Sequence, residues 1–135
     1  MKITKQDEEL IEIATTTLKN NLDLYGDISC VVASAVRAKS GKIYTGINIL
    51  TSHAICAEQV AIGNAFANQE RELDTIVAVK AEKDKSIRIV SPCGLCRYTF
   101  DKLKQLKLNA IVMDGKKTLK VNIKDLLPYP YTRFE

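Results

Sequence analysis

Ser91-Pro92-Cys93-Gly94-Leu95-Cys96 carries two of the four cysteines in this chain, and Cys56-Ala57-Glu58 carries a third. A Cys-x-x-Cys pair sets two sulfurs at the spacing a tetrahedral metal takes, and Cys56 adds a third soft ligand from another element. Structural zinc sites fill all four positions with protein, whereas catalytic ones keep a position for water, so three candidate ligands argue for chemistry over scaffolding. Glu58, two residues beyond the first cysteine, is the natural proton handler. The stretch also decides the fold class. Ile87, Ile89 and Val90 read as a short strand running into it, and Arg97 to Leu106 reads as a helix leaving it, with Phe100, Leu103 and Leu106 facing inward. Pro92 suits the first turn of that helix, where its missing N–H would have no partner. A site at a strand-to-helix junction is the usual arrangement of an α/β protein.

The flanking sequence agrees. From Gln6 to Asn20, the residues Leu10, Ile13, Ala14, Thr17 and Leu18 recur at helical spacing, with acids early and Lys19 late, which predicts an amphipathic helix matched to its dipole. Asn20 to Asp27 reads as a loop. Cys30 to Val36 and Lys42 to Asn48 predict a hairpin turning at Lys39-Ser40-Gly41. Asn48 to Cys56 loses periodicity and reads as a loop. Cys56 to Asn68 predicts a helix buried on most of its surface. Thr75 to Val79 is a β-branched run expected of an inner strand, covered on both faces. Ala110 to Met113 reads as a further strand stopped by Asp114-Gly115, and Val121 to Ile123 as an edge strand before a turn at Asp125-Leu126-Leu127. Strands alternating with helices after a hairpin predict a mixed sheet with helices on both faces.

At 135 residues the chain fits one domain able to bury a real core. Hydrophobic residues make up 46% and charged residues 27%, an ordinary globular balance. No apolar run approaches the roughly 18 residues of a membrane span, and Met1 to Lys5 leads into charged residues without a secretory apolar core. The expectation is a cytoplasmic protein whose thiols stay reduced and free for metal. The net charge of +4 is spread along the chain, and no basic stripe is interleaved with aromatics, so nucleic acid is not the expected partner.

Three thiolates on zinc leave a formal charge of minus one, which two helix N-termini, each worth about half a positive charge, would offset. Zinc brings the pKa of its water from 15.7 to roughly 7, and a carboxylate beside it can take that proton and deliver it to a substrate nitrogen. Such a pair suits hydrolytic loss of an amine from a carbon flanked by ring nitrogen.

Cys56-Ala57-Glu58 followed by Pro92-Cys93-Gly94-Leu95-Cys96 resembles the zinc signature of the cytidine deaminase superfamily, H/C-x-E with P-C-x-x-C. Gly46-Ile47-Asn48, Ser91 to Cys96 and Asp125-Leu126-Leu127-Pro128 are similar to the corresponding stretches of small single-domain cytidine and blasticidin S deaminases. The resemblance implies a single zinc-dependent deaminase domain over residues 1–135, built as a three-layer α/β sandwich around a five-stranded mixed sheet. It implies Cys56, Cys93 and Cys96 as ligands of Zn2+ and Glu58 as the catalytic proton shuttle. It further implies that the Ala57 N–H and the Ser91 carbonyl read the pyrimidine edge and that Asn48 contacts base or sugar. The substrate would be a small cytosine-type nucleoside or analogue: cytidine, deoxycytidine or blasticidin S. The assembly would be a homo-oligomer, a tetramer before a dimer, whose sites draw on neighbouring chains.

The sequence departs from the cytidine deaminase pattern at several points. Leu50 stands where a ribose-binding glutamate is expected, Cys30 where an aromatic packs on the base, and Gln59 where many relatives carry an arginine beside the thiolates. Arg97 is the substitute for that arginine, and Tyr131, with Tyr129 and Phe134, could close over a base. Cys30 reads otherwise as a small buried hydrophobe and His53 as an ordinary loop residue. Rival readings are a dithiol redox protein built on Cys-Gly-Leu-Cys, a non-catalytic Cys₃ zinc module, and a base-editing deaminase acting on nucleic acid.

Overall fold

The computed structural model describes residues 1–22 and 31–132; the readings of Cys30, of most of the loop after the first helix and of Phe134 fall outside them. Helix α1 spans Lys5–Asn21 and starts on a reciprocal cap, the Thr4 hydroxyl accepting from the Asp7 N–H while the Asp7 carboxylate accepts from the Thr4 N–H. Leu10, Ala14 and Leu18 form its fully buried stripe. Strands β1 (Val32–Ala38) and β2 (Ile43–Ile47) make the expected hairpin, with Gly41 in the left-handed region at φ 95° in its turn. β5 (Leu73–Ala81) is the central strand, antiparallel to β1 and parallel to β7 (Asn109–Asp114), which pairs with β8 (Lys117–Asn122). β6 (Ile87–Val90) pairs antiparallel with the far half of β5.

The expected five-stranded sheet therefore contains six strands. β1 runs along one edge of β5, and β7 and β6 share its other edge, β7 at Thr75 and Ile76 and β6 from Ala78 to Ala81. Two further short strands, β3 (Ile49–Leu50) and β4 (Ala54–Ile55), form a separate hairpin where a plain loop was expected.

Alternation along the strands sorts side chains to the two faces. Ala33, Ala35, Val77, Val79 and Ile111 pack against α1, whereas Val36, Ile76, Ala110 and Val112 pack with Ala61, Ile62, Ala65 and Phe100 of α2 (Ala57–Ala67) and α3 (Gly94–Lys102) on the opposite face. Three layers result, as the alternation of strands and helices predicts. Helix α3 is shorter than expected. Pro92 sits before the Cys93 N-cap and not in the first turn, and the helix ends at Lys102, with Lys104 left-handed at φ 58°. That ending turns Leu103 and Leu106 outward, 37% and 47% exposed, and hands the core position to the fully buried Leu108.

Candidate active site

Both cysteine-bearing segments lead into helices, and in each the first cysteine is the N-cap: Cys56 for α2 and Cys93 for α3. Extended backbone at each cap aims its side chain ahead of the first turn, so two segments distant in sequence meet at one point. The sulfurs of Cys56 and Cys93 lie 3.6 Å apart, and all three sulfurs, including that of the buried Cys96, lie within 4.8 Å of one another. Three Zn–S bonds of about 2.3 Å at tetrahedral angles separate their sulfurs by roughly 3.8 Å, so this donor set fits one zinc ion. Among the described residues, no other group of histidine, cysteine or acidic side chains gathers closely enough to hold a metal. His53, on the exposed tip of the β3–β4 hairpin, bonds only with Thr51 and Ser52.

The helix starts also set the charge balance. Burial raises the Cys93 thiol, but the backbone N–H of Cys96, the Cys56 and Cys96 side chains and the N–H of Leu95 outweigh it, so Cys93 sits below the usual thiol value. Burial pushes Cys56 up, and burial together with the Glu58 charge pushes Cys96 far up. One exposed, thiolate-prone sulfur beside a half-buried and a buried thiol is a cluster that a divalent cation would stabilise in its ionised form.

Glu58, in the first turn of α2, is only 6% exposed. Burial raises its carboxyl above the usual range, partly offset by its own backbone N–H and the Cys96 side chain. A carboxylate that keeps or releases a proton easily in a dry cleft is what proton shuttling needs. Glu58 lines a cavity of about 230 Å³ together with Cys56, Cys93, Ala57, Asn48 and Ser91. Two of the sequence-expected ligands, the shuttle and the three contact residues thus share one cleft, with the third ligand, Cys96, buried behind its wall. Asn48 is fixed by its Oδ1, which accepts from the N–H groups of Val31 and Val32, and Ser91 Oγ accepts from the Met113 N–H.

Arg97 and Tyr131 stand elsewhere. Arg97 donates to the carbonyls of Pro92 and Leu126, at 2.8 and 3.3 Å, so it braces the segment leading into Cys93 by way of the backbone. Tyr131 is 71% exposed, held to α3 by a hydrogen bond from Lys102 to its carbonyl, and does not line the cavity. Gln59 caps α2 by accepting from the Cys56 N–H and reaches across to Thr99 of α3, tying the two cysteine-bearing helices together.

Gly46, near the end of β2, sets how closely α2 packs on the sheet. An added Cβ there would stand 2.4 Å from the Ala61 nitrogen and 2.7 Å from the Ala57 carbonyl oxygen, so only glycine lets α2 lie this close to β2. The missed signal was the lone glycine inside a strand-like run, which marks close backbone approach.

Residues 4–113 match the family model described as the cytidine and deoxycytidylate deaminase zinc-binding region. A blasticidin-S deaminase from Bacillus cereus is 40% identical over 138 residues, covering 97% of this chain and 96% of that protein. A cytidine deaminase from Mycoplasma genitalium is 26% identical over 121 residues, covering 87% of this chain and 83% of its own. In fold, the chain is similar to the cytidine deaminase of Burkholderia pseudomallei, with TM-score 0.73 and 24% identity over 92% of this chain and 98% of that one. It is likewise similar to the cytidine deaminase from Bacillus anthracis, with TM-score 0.74 and 21% identity over 92% and 88% of the two chains.

Proposed function

The chain belongs to the cytidine and deoxycytidylate deaminase family, and from that premise we propose that it removes the exocyclic amine of a cytosine-type nucleoside or nucleoside analogue by hydrolysis. The substrate we propose is cytidine, deoxycytidine or blasticidin S, giving the uracil-type product and ammonia. One observation carries the reading: three sulfurs converge at a cleft whose wall holds two of them, Cys56 and Cys93, and the buried Glu58 carboxylate.

Cys56, Cys93 and Cys96 would hold the zinc. When bound, zinc supplies Lewis acidity that brings a water's pKa toward neutrality. Glu58 takes the proton of the attacking water on its carboxylate and hands it to N3 of the ring as oxygen adds at C4. Glu58 then carries a proton to the amine, the C4–N bond breaks, and the nitrogen leaves as ammonia. Its burial keeps that proton from bulk solvent between the two transfers. The Ala57 N–H and the Ser91 carbonyl hold the pyrimidine edge, and Asn48 meets base or sugar from the cavity wall. Arg97 supports the site by fixing the Pro92 carbonyl, one residue before a ligand.

The 135 residues act as one domain in a homo-oligomer, a tetramer before a dimer, whose neighbours bring residues such as Tyr131 toward the base. Its place is the cytoplasm, where the thiols stay reduced. No helix among the described residues is long and apolar enough to cross a membrane. An ammonia-release panel over cytidine, deoxycytidine, blasticidin S, free cytosine, adenosine and guanine tests the proposal. Release from cytosine nucleosides alone supports it, and release from purines alone or from nothing refutes it.

A further inference from the structure

The catalytic cleft opens at the end of the sheet where β1 begins with Val32. A larger cavity, of about 540 Å³, lies at the other end, where β1 gives way to Lys39 and β5 begins with Leu73 and Asp74. Val32 and Ala38, the two ends of β1, stand about 20 Å apart at roughly 3.3 Å per residue, so the cavities are separate. The larger volume falls in the range of small-molecule sites, roughly 300–1,000 Å³. One side chain fixes its walls. Gln105, in the connection from α3 to β7, donates from Nε2 to the Arg71 carbonyl at 2.8 Å and accepts at Oε1 from the Leu73 N–H at 3.2 Å. Lys39, Arg71, Lys104 and Lys107 line the cavity with the acids Glu72 and Asp74. Both acids are already engaged, Glu72 with Lys39 at 3.1 Å and Asp74 with Arg37 at 2.8 Å. Arg71, Lys104 and Lys107 are left with no carboxylate partner among the described residues, and Arg71 is seated 4.7 Å over the Phe66 ring. A second observation points the same way. Arg37, 9% exposed, lines an adjoining cavity of about 340 Å³ that shares Lys39 and Asp74 with the first. Its Nη1 is buried, and the described residues offer it no acceptor, although buried donors are nearly always paired.

We propose that this cavity is a second ligand site, which takes the phosphate group of a small phosphorylated molecule on Arg71, Lys104 and Lys107. A phosphomonoester brings a charge of about −1.5 to −2 and three acceptor oxygens, which matches three cations with no acid left to compete. The guanidinium of Arg71 grips two of those oxygens in parallel, and the two lysines act as point charges. Gln105 holds the turn that carries the lysines against the segment that carries Arg71, so the three cations meet the ligand from a fixed frame. The site uses neither Glu58 nor the three sulfurs, and it stands or falls apart from the proposed deamination.

The test titrates the full chain, at low salt, with inorganic phosphate, ribose 5-phosphate and adenosine 5′-monophosphate, following binding by calorimetry and by backbone amide shifts. Saturable binding of at least one of them is expected, with the shifts centred on residues 71–74 and 104–107, and the probe that binds tightest identifies the source of the phosphate. In Arg71→Gln/Lys107→Gln, whose positions are exposed, affinity should fall at least about tenfold. Lys116→Gln/Lys117→Gln removes the same charge from an exposed turn elsewhere and should change affinity less than about twofold. Gln105→Ala leaves the net charge unchanged and should still weaken binding. No saturable binding by any of the three probes, an equal fall in the two double variants, or shifts centred on Cys56 and Glu58 would overturn the proposal while leaving deamination untouched.

Discussion

The sulfurs of Cys56 and Cys93 lie 3.6 Å apart although each residue caps a different helix. That distance suits a thiol–thiolate hydrogen bond or a shared metal, and Cys96 standing within 4.8 Å of both argues for a shared cation. The purified protein is expected to carry one zinc per chain. Cys56→Ser and Cys93→Ser should each weaken zinc binding by at least about a hundredfold in chelator competition, since even residues that merely support a ligand are worth ten- to a hundredfold. Chelation should abolish ammonia release and added zinc restore it. An active, zinc-free protein would rule this out.

Glu58→Gln keeps size and hydrogen bonding but cannot carry a proton. Turnover should fall roughly a hundred- to ten-thousandfold, with zinc content unchanged and substrate still bound. A non-catalytic zinc module would show no difference between variant and wild type, so kinetics together with metal analysis separates the two.

Gly46→Ala tests how the catalytic helix is seated. The new methyl would press on the backbone of α2 at Ala57, Val60 and Ala61, whose carbonyls and nitrogens have no room to yield. Overpacking of this kind costs about 1–3 kcal/mol, and the pressure falls next to Cys56 and Glu58. The unfolding free energy from denaturant titration should drop by that amount, and activity should drop further than stability alone accounts for.

Asp7 predicts the acid limb of stability. Its side chain is fully buried and bridges Arg37 at 2.9 Å and Lys120 at 3.0 Å, joining α1 to β1 and β8. Burial raises its carboxyl, but the Thr4 N–H, Arg37 and Lys120 overcome this and hold it at about 2, below its ordinary 3.8. A depressed folded-state value means the stabilisation is fully present above the unfolded value and is lost as pH falls through about 2, a loss of roughly 2 kcal/mol. In Asp7→Asn, Lys120 keeps its burial and loses its carboxylate while Arg37 retains Asp74 at 2.8 Å, so stability at neutral pH should fall by about 3 kcal/mol. Urea midpoints should then change less between pH 4 and pH 2 than in the wild type.

These tests fall on residues of unequal legibility in the sequence. The gathering of Cys56, Cys93 and Cys96 beside Glu58 was legible because chemistry fixes the spacing of such residues, and α1 because its apolar residues recur at one period. Leu103 and Leu106 were misread because they continue the period of α3, and periodicity does not report that the backbone leaves the helix at Lys102. The β3–β4 hairpin was invisible because two-residue strands leave no alternation to read. Asp7 read only as one of the early acids matched to the helix dipole. Only the sheet brings Arg37 and Lys120 to it, though Thr4 three residues earlier announced its capping role. The burial of Gly46 under α2 is likewise a property of packing between elements.

The central claim is hydrolytic: oxygen from water replaces nitrogen at one carbon of a cytosine ring, with Glu58 moving the protons. Running the zinc-loaded enzyme with deoxycytidine in water labelled with heavy oxygen, and analysing product by mass spectrometry alongside ammonia, tests it most directly. The account predicts a uracil nucleoside with the label in the carbonyl that replaced the amine, and one ammonia per labelled product. Deoxycytidine, cytidine and blasticidin S all left unchanged, or an unlabelled product, would contradict it.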